Sequence, residues 1–379
     1  MIKLLIMNDL VHEGGVEKVM EELVSYLPEA NYDITVVSIV KDYENIKKFY
    51  PKNIKYFSVE KAFKYSKKRN LFVRVLSLLK RRVYKLLYEL KINFGNYDVA
   101  IAMKEGQCMQ FISKVKAKKK YAWIHVDYNC LHWTKGLFQT TENELECMKA
   151  YNNVVCVSDS AKNSIINVVG DSGNLIVKMN PINVEEILEK SKEKIECLEE
   201  YQMKKNRMIL VSVGGLRNPK GYLRLLECCK RLNEYFDYEL WIIGDGNERI
   251  KMEEYIKKFN LDNIILWGNQ NNPYPFIKRG DWFISSSLGE SYGLAVQEAL
   301  ILNVPVMVTT CPAFEECVSA SEGILVENTT EGLYNGLHKI LSNHDLNKKY
   351  KDGILKNRTH ENLYTNRLEE IENLWRERE

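Results

Sequence analysis

Ser286-Ser287-Leu288-Gly289-Glu290-Ser291-Tyr292-Gly293-Leu294-Ala295-Val296-Gln297-Glu298-Ala299-Leu300 is the stretch whose reading decides the fold. It sets two carboxylates, Glu290 and Glu298, eight positions apart across a glycine-bearing loop and the first turns of a helix. The apolar run Trp282-Phe283-Ile284-Ser285 leads straight into it, as a buried strand would. Strand, glycine turn and helix in that order outline a phosphate site. Amides at a helix start face the anion, and small residues let it come close. Ionised carboxylates only accept hydrogen bonds, so the two Glu side chains suit sugar hydroxyls. A diphosphate flanked by two polyols, a sugar nucleotide, is the ligand this pattern implies.

Working outward, 379 residues favour two domains over one. A hydrophobic content of 45% with 28% charged residues is that of an ordinary globular protein. No apolar run approaches the roughly 18 residues of a spanning helix. Met1-Ile2-Lys3-Leu4-Leu5-Ile6-Met7-Asn8 reads as a first buried strand, not a signal peptide. The nine Cys include no Cys-x-x-Cys pair, and the six His form no pair at metal spacing, so reduced, mostly buried thiols are expected.

Short apolar runs alternate with amphipathic helical patterns in both halves, which argues for βα units and parallel sheets. Strands are expected at 2–7, 34–38, 99–102, 121–125 and 154–157 in the first half. In the second they are expected at 208–213, 240–243, 264–267, 282–285, 306–308 and 324–326. Helices are expected at 17–27, at 160–168 after the capping run Val157-Ser158-Asp159, and at 222–232. The expected division is a first domain over 1–185, a charged linker over 186–205, a second domain over 206–358, and a C-terminal helix over 359–379 packing back on the first domain. Leu363, Leu368, Ile371, Leu374 and Trp375 form the apolar stripe of that helix.

The Glu290/Glu298 spacing alone is weak, because any helix start can hold a dipole-favoured Glu and a solvated one. Its neighbours strengthen it. About seventy residues upstream lies Val211-Ser212-Val213-Gly214-Gly215-Leu216-Arg217-Asn218-Pro219-Lys220-Gly221, again between a strand and a helix. Gly214 and Gly215 free the backbone for close approach. Arg217 and Lys220 place cations where a diphosphate would lie. The bland alternative is an ordinary loop with a solvated Lys. Ile243-Gly244-Asp245-Gly246 is foremost a tight turn. Leu266-Trp267-Gly268-Asn269-Gln270-Asn271-Asn272-Pro273-Tyr274 offers backbone groups to a base edge, stiffened by proline.

On these motifs, in this order and spacing, the second half resembles the retaining glycosyltransferases of family 4, which have the GT-B fold: α/β, two Rossmann-like domains facing across a cleft, with a C-terminal helix crossing back to the first domain. The first half resembles them more loosely, through Gly14-Gly15-Val16-Glu17, Trp123-Ile124-His125-Val126-Asp127 and Asn180-Pro181-Ile182-Asn183. The resemblance implies that Glu298 binds the nucleotide ribose and that Glu290 faces the donor sugar. It places Ser291, Tyr292, Gly293 and Leu294 beside sugar and phosphates, and Gly244, Asn269, Pro273 and Tyr274 about the nucleotide. Lys220 would neutralise the diphosphate, Gly14 and Gly15 would approach it from the other domain, and His125 would lie near the reacting sugar. Gly215 stands where the family usually has Arg, with Arg217 two positions away, and Ser291 replaces a usual Gly.

The implied reaction moves a hexose or N-acetylhexosamine, expected from a UDP-sugar, to a glycan acceptor, with retention. No two Asp stand two apart, so the metal-holding Asp-x-Asp of many glycosyltransferases is missing, and basic residues are expected in the metal's place, with no cofactor. Residues 61–91, from Lys61 to Lys91, contain a single acid, Glu89, and plot as a helix with an apolar arc and a basic face. Such a helix suits an anionic membrane surface, so a peripheral protein on the inner face of the cytoplasmic membrane and a lipid-linked acceptor are expected. A core-packing helix with a solvated face is the alternative, and no nucleic-acid motif accompanies the charge. A non-catalytic partner subunit and a sugar-nucleotide epimerase on the same architecture are the rival functions. A dehydrogenase is disfavoured, since no Gly-x-Gly-x-x-Gly follows the first strand.

Overall fold

The computed structural model describes residues 1–9, 14–40, 50, 54–60, 96–201, 207–360 and 363–376. The chain splits into two compact units, Met1–Pro181 with Thr365–Glu379, and Ile182–Tyr364. The basic segment 61–91 lies outside the described residues.

In the first unit seven parallel strands lie in the order β3-β2-β1-β4-β5-β6-β7. They are β1 (Ile2–Asn8), β2 (Tyr32–Val40), β3 (Lys55–Glu60), β4 (Tyr97–Ala102), β5 (Ala117–Ile124), β6 (Asn153–Cys156) and β7 (Leu175–Val177). Central strands of such a sheet are covered on both faces and read as continuous apolar runs; Leu4, Leu5 and Ile6 are 0% exposed. The two edge strands, β3 and β7, were not expected. One alternates polar residues, the other has three, and neither carries the run that marks a central strand. β5 also starts four residues early, because Lys118, Lys119 and Lys120 mask its first half. Lys118 pairs with Asp98 at 2.7 Å, and Lys120 Nζ donates to the Ser113 carbonyl.

The helix Thr365–Arg376 belongs to this first unit. Leu368, Ile371 and Trp375 of the expected stripe are buried, and so is Glu372. Glu372 is tolerated there because Tyr32 Oη donates to it at 2.7 Å, and the Trp375 indole donates to the same Tyr32 oxygen at 3.0 Å. Tyr121 Oη ties the helix by donating to the Leu374 carbonyl.

In the second unit six parallel strands run β10-β9-β8-β11-β12-β13. They are β8 (Met208–Val213), β9 (Tyr238–Ile243), β10 (Ile264–Gly268), β11 (Trp282–Ser285), β12 (Val306–Thr309) and β13 (Gly323–Val326), one for each expected strand. The helix Tyr222–Leu232 has its expected bounds and buries Leu225, Leu226, Cys229 and Leu232 against the sheet. The stretch expected as a linker is different: Val184–Lys190 and Glu196–Glu200 are helices of the second unit, and Asn272 Nδ2 donates to the Lys190 carbonyl. Glu185, Glu189, Glu196 and Glu199 of these helices are exposed, so a charged composition is compatible with helices that belong to the unit.

Both sheets reverse their direction of growth at one place, between β1 and β4 in the first and between β8 and β11 in the second. Open parallel sheets bind ligands outside the carboxyl ends of the strands at such a switch point.

Candidate functional site

The loops leaving β8 and β11 carry the two sequence motifs. They are about seventy residues apart in the chain, and strand order makes them neighbours. The β11 loop docks on the β8 loop through backbone and side chain together. Leu288 N donates to the Pro219 carbonyl at 2.8 Å, and Ser286 Oγ donates to the Lys220 carbonyl at 2.8 Å. Gly221 is needed there: its φ is +66°, and a Cβ would stand 2.2 Å from the Ser286 oxygen.

At this junction Lys220 Nζ forms an ion pair with Glu290 Oε1. The same carboxylate oxygen accepts from Ser287 Oγ at 2.8 Å, and Ser285 Oγ donates to Ser287 Oγ at 3.2 Å. The two side chains are 34% and 16% exposed, so the pair is sheltered but reachable. Burial disfavours the Lys220 ammonium, and the adjoining Glu290 charge outweighs that, so its pKa is raised and it stays charged. Arg217 is exposed on the same loop. A Cβ on Gly215 would lie 3.6 Å from Arg217 Nε, so the Arg217 side chain runs beside the spot where a residue-215 side chain would emerge.

The glycine turns bring three strand ends into backbone contact. Gly214 N donates to the Ile243 carbonyl at 3.0 Å, Leu216 N to the Asp245 carbonyl at 2.9 Å, and Gly244 N to the Gly268 carbonyl at 2.8 Å. Gly293 (φ +72°) caps the helix Leu294–Ile301, where a Cβ would stand 2.8 Å from the Phe314 ring. Glu298, one turn into that helix, is 7% exposed and accepts from Tyr274 Oη at 3.1 Å. Tyr274 is itself buried, in a helix capped by Pro273, while Asn269 is exposed on the β10 loop. Tyr292 is buried and its carbonyl accepts from Gln297 Nε2 at 3.2 Å; Ser291 is half-buried beside it. The structure therefore joins Lys220 to Glu290, and Tyr274 to Glu298.

Sequence reading missed the residues behind the loop. Arg224 donates to the Ser286 and Ser287 carbonyls, and Thr309 Oγ1 donates to the Ser287 carbonyl at 2.6 Å. A usable signal was present, since Arg224 is a cation in the first turn of the helix after the glycine-cation loop, where the helix dipole disfavours a merely solvated positive charge.

In the first unit the corresponding place lies at the ends of β1 and β4. Asp9 and Lys104 form an ion pair at 2.7 Å there, and Asn8 Nδ2 donates to Glu17 Oε1 at 3.1 Å. Gly14 and Gly15 open the helix Gly15–Tyr26, and a Cβ on Gly14 would meet Glu17 Oε2 at 2.5 Å. Glu105 is fully buried and organises its surroundings: it accepts from the His125 amide at 3.0 Å and from the Trp133 indole at 2.9 Å. Burial raises its pKa against those donors. Lys104, Glu105 and Trp133 were also missed, although a Lys-Glu pair directly after an apolar strand and before Gly106 is a visible anomaly.

His125 lies at the end of β5. Burial, then the nearby Lys104 charge, lowers its pKa from 6.5 to about 3, so the imidazole is neutral at physiological pH. Above pH 6.5 folded and unfolded forms are both neutral at this residue. Below it only the unfolded chain takes up the proton, so stability falls as pH drops from 6.5 towards 3. At about 1.4 kcal/mol per unit, the loss down to pH 5 is about 2 kcal/mol. His125→Asn removes that part of the slope. Urea unfolding at pH 7 and pH 5 checks it, and an unchanged slope in the variant contradicts it.

Comparison with known proteins places this geometry. The chain is 40% identical over 109 residues, 28% of its length, to an uncharacterized glycosyltransferase of Methanocaldococcus jannaschii. It is 29% identical over 177 residues, 46% of its length, to the N-acetylgalactosamine-N,N'-diacetylbacillosaminyl-diphospho-undecaprenol 4-alpha-N-acetylgalactosaminyltransferase of Campylobacter jejuni. The chain spans 27% and 46% of the lengths of these two relatives. Among solved structures, Anabaena HepE in complex with UDP and glucose superposes with a TM-score of 0.75 over 99% of both chains at 12% identity. At that identity the likeness speaks for the fold, which is GT-B, with one Rossmann-like sheet in each unit. Residues 193–356, which hold Arg217, Lys220, Glu290 and Glu298 and lie within the second unit, match the family described as Glycosyl transferases group 1.

Proposed function

We propose that the protein transfers a hexose or N-acetylhexosamine from a UDP-sugar to a lipid-linked glycan acceptor during assembly of a bacterial surface polysaccharide, with retention and without a metal ion. The observation that carries the reading is the sheltered Lys220–Glu290 pair at the β8/β11 switch point of a group 1 glycosyl transferase domain. Breaking the bond between the anomeric carbon and the phosphate oxygen leaves negative charge on the diphosphate. Lys220, with Arg217 beside it, stabilises that charge through fixed cations. Glu290 takes hydroxyls of the departing sugar, and Glu298, braced by Tyr274, takes those of the ribose. The new bond forms from the acceptor oxygen on the same face, and the leaving phosphate accepts the acceptor's proton. His125, neutral, contributes a hydrogen bond and not a charge.

Two comparisons support the ligands: HepE was solved with UDP and glucose, and the Campylobacter enzyme's name specifies a diphospho-undecaprenol acceptor. Among the described residues no helix is long and apolar enough to cross a membrane. Surface attachment through residues 61–91 is part of the proposal. Titration against anionic and neutral vesicles tests it, with preference for the anionic ones expected. The donor reading is tested by calorimetry with UDP, UDP-glucose and UDP-N-acetylglucosamine, followed by donor hydrolysis with and without EDTA. Binding of UDP and a rate indifferent to EDTA are expected. No uptake of any of the three sinks the donor assignment, and abolition of turnover by EDTA sinks the metal-free chemistry.

A further inference from the structure

Three successive carbonyls of the β11 loop are tied down from behind by Arg224 and Asn328, with Thr309 Oγ1 also on the middle one. Arg224 Nη2 donates to the Ser286 carbonyl at 2.5 Å and to the Ser287 carbonyl at 3.0 Å, and Arg224 Nε donates to the Ser286 carbonyl at 3.1 Å. Asn328, after β13, receives Arg224 Nη2 on its Oδ1 at 2.6 Å. Its own Nδ2 donates to the Leu288 carbonyl at 3.0 Å and to the Thr310 carbonyl at 3.2 Å. The planar guanidinium can serve both neighbouring acceptors because its donors are fixed in one fork. Burial lowers the Arg224 pKa, and a guanidinium is basic enough to keep its charge in a protein regardless.

No peptide among the described residues is cis. In a trans peptide the N–H points opposite to the C=O. Holding the carbonyls of Ser286, Ser287 and Leu288 on the clamp side therefore turns the amides of Ser287, Leu288 and Gly289 to the other side. The Leu288 amide meets the Pro219 carbonyl of the Lys220 loop. Glu290 follows two residues later, already bonded to Lys220 and Ser287.

We infer that Arg224, with Asn328, is a positioning residue for nucleotide-sugar binding: it acts through the loop and not on the ligand, setting the orientation in which Glu290 and the Gly289 amide meet the diphosphate end of the donor. The inference rests on the donor reading above. An ordinary packing role predicts lost stability alone. A positioning role predicts lost affinity beyond what lost stability brings, since a displaced loop no longer meets the donor in hydrogen-bond geometry.

The test is UDP affinity by calorimetry, with Tm, for the full chain and the variants Arg224→Met, Asn328→Ala and Leu226→Ala. Leu226 is fully buried on the same helix and, being apolar, makes no hydrogen bond to a loop carbonyl or to the ion pair, so it supplies destabilisation without loss of a clamp bond. Arg224→Met is expected to weaken UDP binding about tenfold or more, the cost of one misaligned hydrogen bond to a charged phosphate. Asn328→Ala is expected to weaken it in the same direction, and the double variant to be little worse than Arg224→Met, because the two side chains form one clamp. Leu226→Ala lowers Tm and leaves affinity within about twofold. Hydrogen exchange across residues 285–293, measured without nucleotide, is expected to speed up in Arg224→Met. Wild-type UDP binding with unchanged affinity in both clamp variants overturns the inference. So does a Leu226→Ala variant that loses affinity as severely as they do. A wild-type protein that binds no UDP but shows the faster exchange in Arg224→Met overturns the donor reading, and the clamp then has no donor to position.

Discussion

Lys220→Ala is expected to lower the rate of glycosyl transfer about a hundred- to a thousandfold, the usual cost of removing one fixed charge stabiliser from a transition state. The size follows from the surroundings. Lys220 is the cation whose raised pKa keeps it charged at the junction of the two motif loops, and its partner Glu290 is 16% exposed. Removing the ammonium leaves that carboxylate with Ser287 Oγ at 2.8 Å in a sheltered place, so some thermal stability is lost as well. Glu290→Gln separates the two roles. It also loses transfer, but it frees Lys220 from its counter-charge, so affinity for UDP alone is expected to hold or rise. Steady-state rates together with calorimetry check both variants. The Lys220→Ala/Glu290→Gln double variant should be far less impaired than the product of the single losses, because the residues act as a unit. Transfer by Lys220→Ala within about threefold of wild type would remove this residue from the chemistry.

The second large effect is on stability. Gly244→Ala is expected to destabilise the second unit by about 3 kcal/mol or more, lowering Tm by about 6 °C or more. Two causes add. Gly244 has φ +139°, a conformation that L side chains rarely adopt, and an added Cβ would stand 2.1 Å from the Gly214 carbonyl oxygen. That oxygen is backbone, held by the bond from Gly214 N to the Ile243 carbonyl, so it has no flexible end to swing aside. Asn247→Ala, three residues on and exposed, is the control and should stay within about 0.5 kcal/mol. Urea or thermal unfolding measures both. A Gly244→Ala protein as stable as the control would mean that the β8 and β9 turns are not packed this closely. The Ile243-Gly244-Asp245-Gly246 segment, read from sequence as mainly a turn, thus also supports the floor of the Lys220 loop.

The central strands were legible because burial on both faces leaves a strong local mark: the runs 4–7, 99–102, 154–157, 208–211 and 282–284 are apolar throughout. The edge strands β3 and β7 and the lysine-rich start of β5 were not, because one wet face or edge lets polar residues in and erases that mark. The charged stretch 186–205 misled for the related reason that surface helices and linkers share a composition.

In the site, Lys220, Glu290 and Glu298 were visible as residue types at a spacing after strand and glycine. What Arg224, Asn328 and Glu105 do was not, even where the residue stood out, because their work is done on atoms far away in the chain: backbone carbonyls 62 and 63 residues on for Arg224, and an indole 28 residues on for Glu105.

The chain's own order of residues determined the α/β class, the rhythm of the strands, and the presence of two loops built from glycines, cations and carboxylates, because these depend on side-chain period and on backbone freedom at single positions. Only the tertiary structure decided that the two loops meet. That required β8 and β11 to lie side by side, a pairing set by which sheet arrangement buries the most apolar surface and not by anything either loop carries. The same assembly decided which carboxylate pairs with Lys220 and which groups hold the Glu290 loop, since hydrogen-bond partners are chosen by distance in space.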